Sequence, residues 1–229
     1  MRVSIHQPQY LPWYPYFQKI IASDLFIYLD TVDFQKNGLQ NRNKILTNSG
    51  PAWLTVPVKQ KLKQKIIDTK ISKVSNWKEK HMKTLSFNYG KLENFKNYHS
   101  FLWNVYAEAS DSLAELNIAL TNQILNLMNI TTPTIMSSQL DSFGVSTELI
   151  VNLCRQVGAT TYVSGNGGKN YLDQSLFSSS GIHLEFLSPL LPNPYPTVYT
   201  DVGCHCDLSI VDFLFNCGDT WHTYIPSGI

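Results

Sequence analysis

The fold of this chain depends first on one stretch near its beginning, Arg2-Val3-Ser4-Ile5-His6-Gln7-Pro8-Gln9-Tyr10-Leu11-Pro12-Trp13. Val3 to Ile5 is a short, mostly apolar run with a β-branched residue at each end, which is typical of a buried strand. The two prolines that follow prevent an immediate helix, because proline lacks an N–H and favours extended geometry in the residue before it. We expect a helix only from Tyr16 to Ala22, with Pro15 in its first turn. His6 is therefore predicted to lie on a stiff loop between a core strand and a helix.

A second buried strand is predicted at Leu25 to Leu29, an apolar run that Asp30 closes. Strand, short helix and strand form a βαβ unit, which indicates a parallel sheet with a right-handed crossover. The first strand is expected to be central, with His6 and Asp30 both at carboxyl ends of strands. Ligands of open α/β sheets bind outside these ends. The sequence thus predicts a Rossmann-like α/β fold, a mostly parallel sheet with flanking helices, and a site at this edge.

The middle of the chain has a helical period of apolar residues. We expect a helical insertion at about 76–129, with three helices broken near Gly90 and Ser110, inside a single α/β domain that covers residues 1–229. Short strands are predicted again at Thr161 to Val163 and at Ile182 to Phe186, the second in an edge position. The order of these elements fits one domain of this length.

Two polar segments are candidates for ligand binding. Asp33 to Lys44 is rich in amides and includes the guanidinium of Arg42, a planar fork suited to phosphate or carboxylate. It reads either as a ligand-gripping loop or as a surface loop held by Asn and Gly turns. Gly165 to Lys169 follows a short strand, and its backbone N–H groups can surround an anion, although a tight turn explains the same residues.

Composition limits the classes of function. Charged residues make up only 15% of the chain and the formal net charge is +1, so bulk charge indicates neither nucleic acid nor an acidic membrane as partner. No signal peptide and no apolar run of about 18 residues is present, so we expect a cytoplasmic protein without membrane insertion. Its cysteines are then expected to be reduced. Cys204-His205-Cys206 lacks the wider spacing and fourth ligand of a zinc site, so no metal is expected.

Several motifs resemble those of the WbqC-like protein family, and together they span nearly the whole chain. They are His6-Gln7-Pro8-x-Tyr10-Leu11-Pro12-Trp13, Tyr16-Phe17-x-Lys19-Ile20, Asp24, Asp30, Asn41-Arg42-Asn43, Trp53-Leu54-x-Val56-Pro57, Tyr162-x-Ser164-Gly165 and Leu208-Ser209-Ile210-x-Asp212-x-Leu214-Phe215-Asn216-x-Gly218. The resemblance implies a bacterial protein associated with the biosynthesis of surface polysaccharide (O-antigen).

The leading hypothesis is an enzyme that acts on a nucleotide-linked amino sugar by acyl or aminoacyl transfer, with His6 as general base. Its partners would be a nucleotide sugar or an acyl donor, and the cofactor is unknown. An ATP-dependent nucleotidylyltransferase-like enzyme and a non-catalytic module that binds a glycan or nucleotide sugar remain alternatives, and a homodimer remains open. The candidate catalytic residues are His6 and Asp30, and the candidate substrate-binding residues are Gln7, Tyr10, Trp13, Lys19, Gln35, Asn41, Arg42, Asn43, Lys44, Ser164, Gly165, Asn166 and Lys169.

Overall fold

A computed structural model describes residues 1–59, 61, 63–73, 76–202, 205 and 207–226. Its centre is a five-stranded sheet in which every neighbouring pair of strands is parallel. The predicted Rossmann-like α/β fold is confirmed. In chain order the strands are β1 (Arg2–His6), β2 (Leu25–Tyr28), β3 (Arg42–Thr47), β4 (Gly50–Thr55), β5 (Val58–Lys59), β6 (Lys70–Ile71), β7 (Thr134–Met136), β8 (Thr161–Gly165) and β9 (His183–Leu187).

The order of strands in the sheet is β7-β2-β1-β8-β9. The chain builds outward from β1 through β2 to β7 and then returns to the other side of β1, where it adds β8 and β9. The direction of building therefore reverses between β1 and β8. In open α/β sheets such a reversal opens a crevice at the carboxyl ends of the two strands. His6 ends β1 and Gly165 ends β8, so both lie at this crevice.

Helices cover both faces of the sheet and form two apolar cores. The larger core contains residues of the first helix, of the insertion and of the last helix, and the smaller one contains residues of the helices next to β8 and β9. In chain order the helices are α1 (Tyr14–Ile21), α2 (Trp77–Tyr89), α3 (Glu93–Tyr98), α4 (Ser100–Glu108), α5 (Leu113–Leu127), α6 (Ser146–Gln156), α7 (Gln174–Ser179) and α8 (Ile210–Cys217). None of the helices in the described ranges could cross a membrane.

The predicted insertion region contains four helices rather than three. The difference is a break at His99, which ends α3 and precedes α4. The His99 ring bends back onto its own helix, where Nδ1 lies 3.0 Å from the Phe95 carbonyl oxygen and 3.1 Å from that of Lys96. A side chain that competes for backbone carbonyls in this way weakens the helical pattern at that point.

The last residues of the candidate ligand-binding segment Asp33 to Lys44 form β-strand. Residues 42 to 44 begin β3, which pairs antiparallel with β4 in a separate two-stranded sheet. Two amides in this region serve the backbone, because Asn41 Nδ2 donates to the Val56 carbonyl at 2.9 Å and Asn43 Nδ2 donates to the Leu11 carbonyl at 2.6 Å. Sequence composition alone does not separate such structural amides from ligand-binding ones.

The short turn after β8 requires glycine at one position. Residues 166–170 form a short 3₁₀ helix, and a Cβ built on Gly168 would lie 2.2 Å from Ser164 Oγ and 2.8 Å from Leu172 Cδ1. A Cβ on the adjacent Gly167 would meet nothing within 4 Å. The close approach at Gly168 therefore fixes how the turn sits on the end of β8.

We predict that Gly168→Ala destabilises the protein by about 1–3 kcal/mol, the usual range for overpacking. Gly167→Ala is the matched control, and its effect should stay within about 0.5 kcal/mol. Chemical denaturation of the two variants measures the difference. Equal stability of the two variants would contradict the close approach.

Candidate functional site

A cavity of about 670 Å³ lies at the carboxyl ends of β1 and β8. Its polar wall comes from the end of β1, from α1, from the segment after β2 and from the end of β8. Its apolar wall comes mainly from β1, from the segment after β2 and from α6. The polar wall includes His6, Gln7, Gln18, Lys19, Gln35 and Ser164, and the apolar wall includes Ile5, Leu29, Val32, Leu149 and Ile150. The volume is in the range of small-molecule sites.

His6 is held as a neutral hydrogen-bond acceptor. Its Nδ1 lies 3.0 Å from the Gln7 carbonyl oxygen, and because a carbonyl only accepts, Nδ1 must carry the proton. The lone pair of the neutral ring is then on Nε2. Burial first, and the charge of Lys19 second, lower the pKa of His6 to about 3, against a smaller opposing effect of the Gln7 bond. The Tyr16 ring packs edge-on against the imidazole at 4.9 Å and limits its rotation.

Lys19 places a buried amine in the same cavity. Only 8% of the residue is exposed, and Nζ donates to the Ile5 carbonyl oxygen at 3.0 Å. Burial lowers the pKa of Lys19 from 10.5 to about 7. The ion pairs within the described ranges are Arg2–Glu185, Lys44–Asp207 and Lys70–Asp111, so no described carboxylate neutralises Lys19. An ammonium donates three hydrogen bonds, and two remain available here.

The end of β8 completes the polar wall. Ser164 is buried, and its Oγ donates to the Gly165 carbonyl at 3.1 Å. A Cβ built on Gly165 would lie 3.9 Å from Lys19 Cδ, so the Lys19 side chain runs past the end of β8. Lys19 thus lies at the reversal of strand order, between the ends of β1 and β8.

The structure brings together eight of the predicted site residues. They come from three separate stretches of sequence, and each lines the cavity: His6, Gln7, Trp13, Lys19, Gln35, Ser164, Gly165 and Asn166.

Two other candidates have partners inside the protein. Tyr10 is fully buried, and its hydroxyl is hydrogen-bonded to His81 Nδ1 at 2.8 Å and to the Tyr106 hydroxyl. Asp30, predicted as catalytic, is also fully buried and accepts hydrogen bonds from the hydroxyls of Ser137 and Ser138 and from the Ser138 N–H. Neither lines the cavity, and their side chains anchor loops.

Both candidate segments reach the cavity, Asp33 to Lys44 through Gln35 and Gly165 to Lys169 through residues 165 to 168, but their basic residues do not. Asn41, Arg42, Asn43, Lys44 and Lys169 are not among the residues that line the cavity. Arg42 stacks on the Trp53 ring at 4.2 Å and Lys44 pairs with Asp207. Lys169 Nζ lies 5.5 Å from the centre of the Phe186 ring. Lys19 is the cation that the cavity contains, and it comes from a helix rather than from a loop.

Other lining residues were missing from the prediction. Leu149 and Ile150 lie at positions of α6 whose periodicity marks them as core, and they do pack in the smaller core. Their contact with the cavity has no separate signal in the sequence. Tyr16 begins the first helix motif and Gln18 is its unspecified position, and their place beside Lys19 follows only from the geometry of α1.

No group of three or more His, Cys, Asp or Glu residues that could hold a metal occurs in the part of the chain that the structure describes. The hypothesis about Cys204-His205-Cys206 lies outside these residues for both cysteines. Cys154 and Cys217 are buried free thiols, and burial raises the pKa of each to about 12.

The buried amine leads to a prediction about stability. Between pH 7 and 10.5 the unfolded chain binds the Lys19 proton more tightly than the folded protein does, so this residue destabilises the fold most below pH 7 and not at all above about pH 10.5. Lys19→Met should therefore raise the free energy of unfolding by about 2–4 kcal/mol at pH 6, and the gain should shrink towards pH 10. Denaturant titrations across this range measure it, and a gain independent of pH would contradict the burial of a charged amine.

Comparison with known proteins gives two matches. The model of the WbqC-like protein family matches residues 7–223. The uncharacterized protein Rv1507c of Mycobacterium tuberculosis is 34% identical over 220 residues, which cover 95% of this chain and 94% of that protein. No solved structure matches the chain significantly. Because the family model matches nearly the whole chain, from residue 7 to residue 223, the chain belongs to the WbqC-like protein family.

Proposed function

We propose that this protein is an enzyme that binds a nucleotide-linked amino sugar in the β1/β8 crevice and transfers an acyl or aminoacyl group to its amine. The observation that carries the proposal is that one cavity combines the acceptor Nε2 of His6 with the free donors of Lys19. A setting in surface-polysaccharide biosynthesis is what the family resemblance implies and is part of the proposal.

In the proposed reaction the amine nitrogen attacks the acyl carbonyl carbon and gives up a proton to His6 Nε2. The carbonyl oxygen becomes an oxyanion, and hydrogen bonds from Lys19 Nζ stabilise it. The tetrahedral intermediate then breaks its bond to the leaving group, which takes the proton back from His6. His6 is thus base and then acid, while its Nδ1–H bond to Gln7 holds the ring in place.

The charge of the substrate supports the role of His6. Burial and the positive charge of Lys19 hold the pKa of His6 at about 3, which makes it a weak base. A phosphate or oxyanion beside Lys19 would neutralise that charge and raise the pKa of His6. Anion binding would therefore make His6 a stronger base when the substrate is present.

The apolar wall supports an acyl donor. Leu29 and Val32 after β2, and Leu149 and Ile150 on α6, offer hydrocarbon surface in the same cavity. A sugar alone has little use for such a surface, whereas the carbon chain of an acyl group would be buried against it favourably.

Binding of uridine 5′-diphosphate sugars should depend on pH through Lys19. Below its pKa of about 7 Lys19 is a cation that attracts phosphate, and above it is a neutral amine. Between pH 7 and 9, where the phosphates are already ionised, we predict that affinity falls by up to about tenfold per pH unit. Isothermal titration calorimetry measures the affinity.

Lys19→Met should abolish this pH dependence and most of the binding. Arg42→Ala is the matched control, because Arg42 is a cation that does not line the cavity, and it should bind as the wild type does. Loss of binding in Arg42→Ala, with binding retained in Lys19→Met, would place the ligand elsewhere.

His6→Asn should separate turnover from folding and binding. The Asn side chain can retain the bond to the Gln7 carbonyl that Nδ1 makes, but it has no group in place of Nε2. We predict that turnover falls by about 10²–10⁴-fold, the usual contribution of a general base, with little change in affinity. Mass spectrometry of nucleotide amino sugars mixed with acyl donors measures turnover. Binding without any turnover in the wild type would instead indicate a binding module.

A further inference from the structure

A chain of three glutamines leads from the backbone of one loop to the cavity. The Gln35 backbone N–H donates to Gln40 Oε1 at 2.7 Å, and Gln40 Nε2 donates to Gln7 Oε1 at 2.7 Å. Gln40 is only 2% exposed and does not line the cavity, whereas Gln7 and Gln35 do. A buried amide with both of its ends bonded has one fixed orientation.

The orientation of Gln7 follows from chemistry at each link. A backbone N–H can only donate, so Gln40 must present its oxygen to Gln35 and its NH₂ group to Gln7. Gln7 must then turn its own oxygen towards Gln40. No residue in the described ranges accepts a hydrogen bond from Gln7 Nε2, which leaves this NH₂ group as a donor available at the cavity.

The backbone of Gln40 is fixed as well. Its carbonyl oxygen accepts a hydrogen bond at 2.7 Å from Asn117 Nδ2 on α5. Asn117 is fully buried, so the helical insertion holds the residue that orients Gln7. Gln40 is therefore constrained at its backbone and at both ends of its side chain.

We propose that Gln40 is a positioning residue, which orients the Gln7 amide so that the cavity offers a neutral donor in addition to the amine of Lys19. The Gln7 NH₂ group selects a ligand that has a carbonyl or phosphate oxygen beside it. The same ligand would have a neighbouring N–H or O–H group that donates a hydrogen bond to His6 Nε2. This inference rests on the proposed function for the identity of the ligand, but the orientation of Gln7 is independent of it.

The orientation can be tested without a ligand. In the wild type the Gln7 side-chain NH₂ protons should exchange rapidly with water, and one Gln40 NH₂ proton should exchange slowly. The ionised carboxylate of Gln40→Glu cannot donate a hydrogen bond. The Gln7 amide should therefore rotate by about 180° so that its NH₂ group donates to this carboxylate. Exchange of one Gln7 NH₂ proton, measured by NMR, should then slow at least tenfold. The carbon-13 chemical shift of the introduced carboxyl shows whether it is ionised, since burial raises the pKa of such a group. Unchanged Gln7 exchange with that carboxyl ionised would overturn the proposal.

Gln156→Glu is the matched control for this exchange experiment. Gln156 also has both ends of its amide bonded, to the Asp141 N–H at 2.9 Å and to the Asp141 carbonyl at 2.8 Å, but on an exposed surface away from the cavity. This variant should leave the Gln7 exchange rates as they are in the wild type. Slower Gln7 exchange in the control would show an indirect effect and would count against Gln40.

A double-mutant cycle tests the effect on binding, with uridine 5′-diphosphate as the probe. Gln40→Met removes the positioning bond without adding charge and should weaken binding about three- to tenfold. In a Gln7→Met background the same change should cause no further loss, because Gln40 acts through Gln7. Equal losses in both backgrounds would indicate a merely structural role. Should the wild type fail to bind the probe, the proposed function loses its phosphate ligand, and the exchange experiment alone decides on Gln40.

Discussion

The hydrogen bond from Lys19 Nζ to the Ile5 carbonyl joins the first helix to the carboxyl end of the central strand. The backbone of the same residue is also bonded to β1, because Ser4 Oγ donates to the Lys19 carbonyl at 3.0 Å. Both ends of Lys19 thus contact successive residues of β1, and they fix how far along the strand α1 lies. The position of α1 sets one wall of the crevice, and β8 sets the other. The place of His6 in that crevice follows from this arrangement, because Tyr16 of α1 packs on its ring.

This arrangement has an electrostatic consequence. A buried ammonium without a carboxylate partner destabilises a folded protein, and a chain selected for stability alone would replace it with an apolar residue. The same ammonium gives the cavity an attraction for anions that no rearrangement has to create. The charge of Lys19 also helps to lower the pKa of His6. Lower stability of the fold and a positive charge inside the cavity are two results of one buried group.

The sequence predicted the sheet and one end of the site because their signals are local. The Val3 to Ile5 run, the prolines after it and the second apolar run fix a βαβ unit, and such a unit places His6 at a carboxyl end. The role of a polar side chain depends instead on partners far along the chain. Tyr10 bonds to His81 and Tyr106, which are 71 and 96 residues away, and Asp30 bonds to Ser137 at a separation of 107. No local pattern distinguishes such anchors from ligand-binding groups.

The helical insertion acts on the site through these long-range anchors. Asn117 of α5 bonds to the Gln40 carbonyl and lies 3.5 Å from the Pro8 carbonyl, so one amide contacts both the loop after β1 and the segment before β3. Tyr10 adds a second connection, from the loop after β1 to α2 and α4. The loop that follows His6 and carries Gln7 would be mobile if only its two ends were fixed. With its middle held by three helices of the insertion, the loop can keep the His6 acceptor and the Gln7 donor in one fixed arrangement, which is what a preorganised site requires.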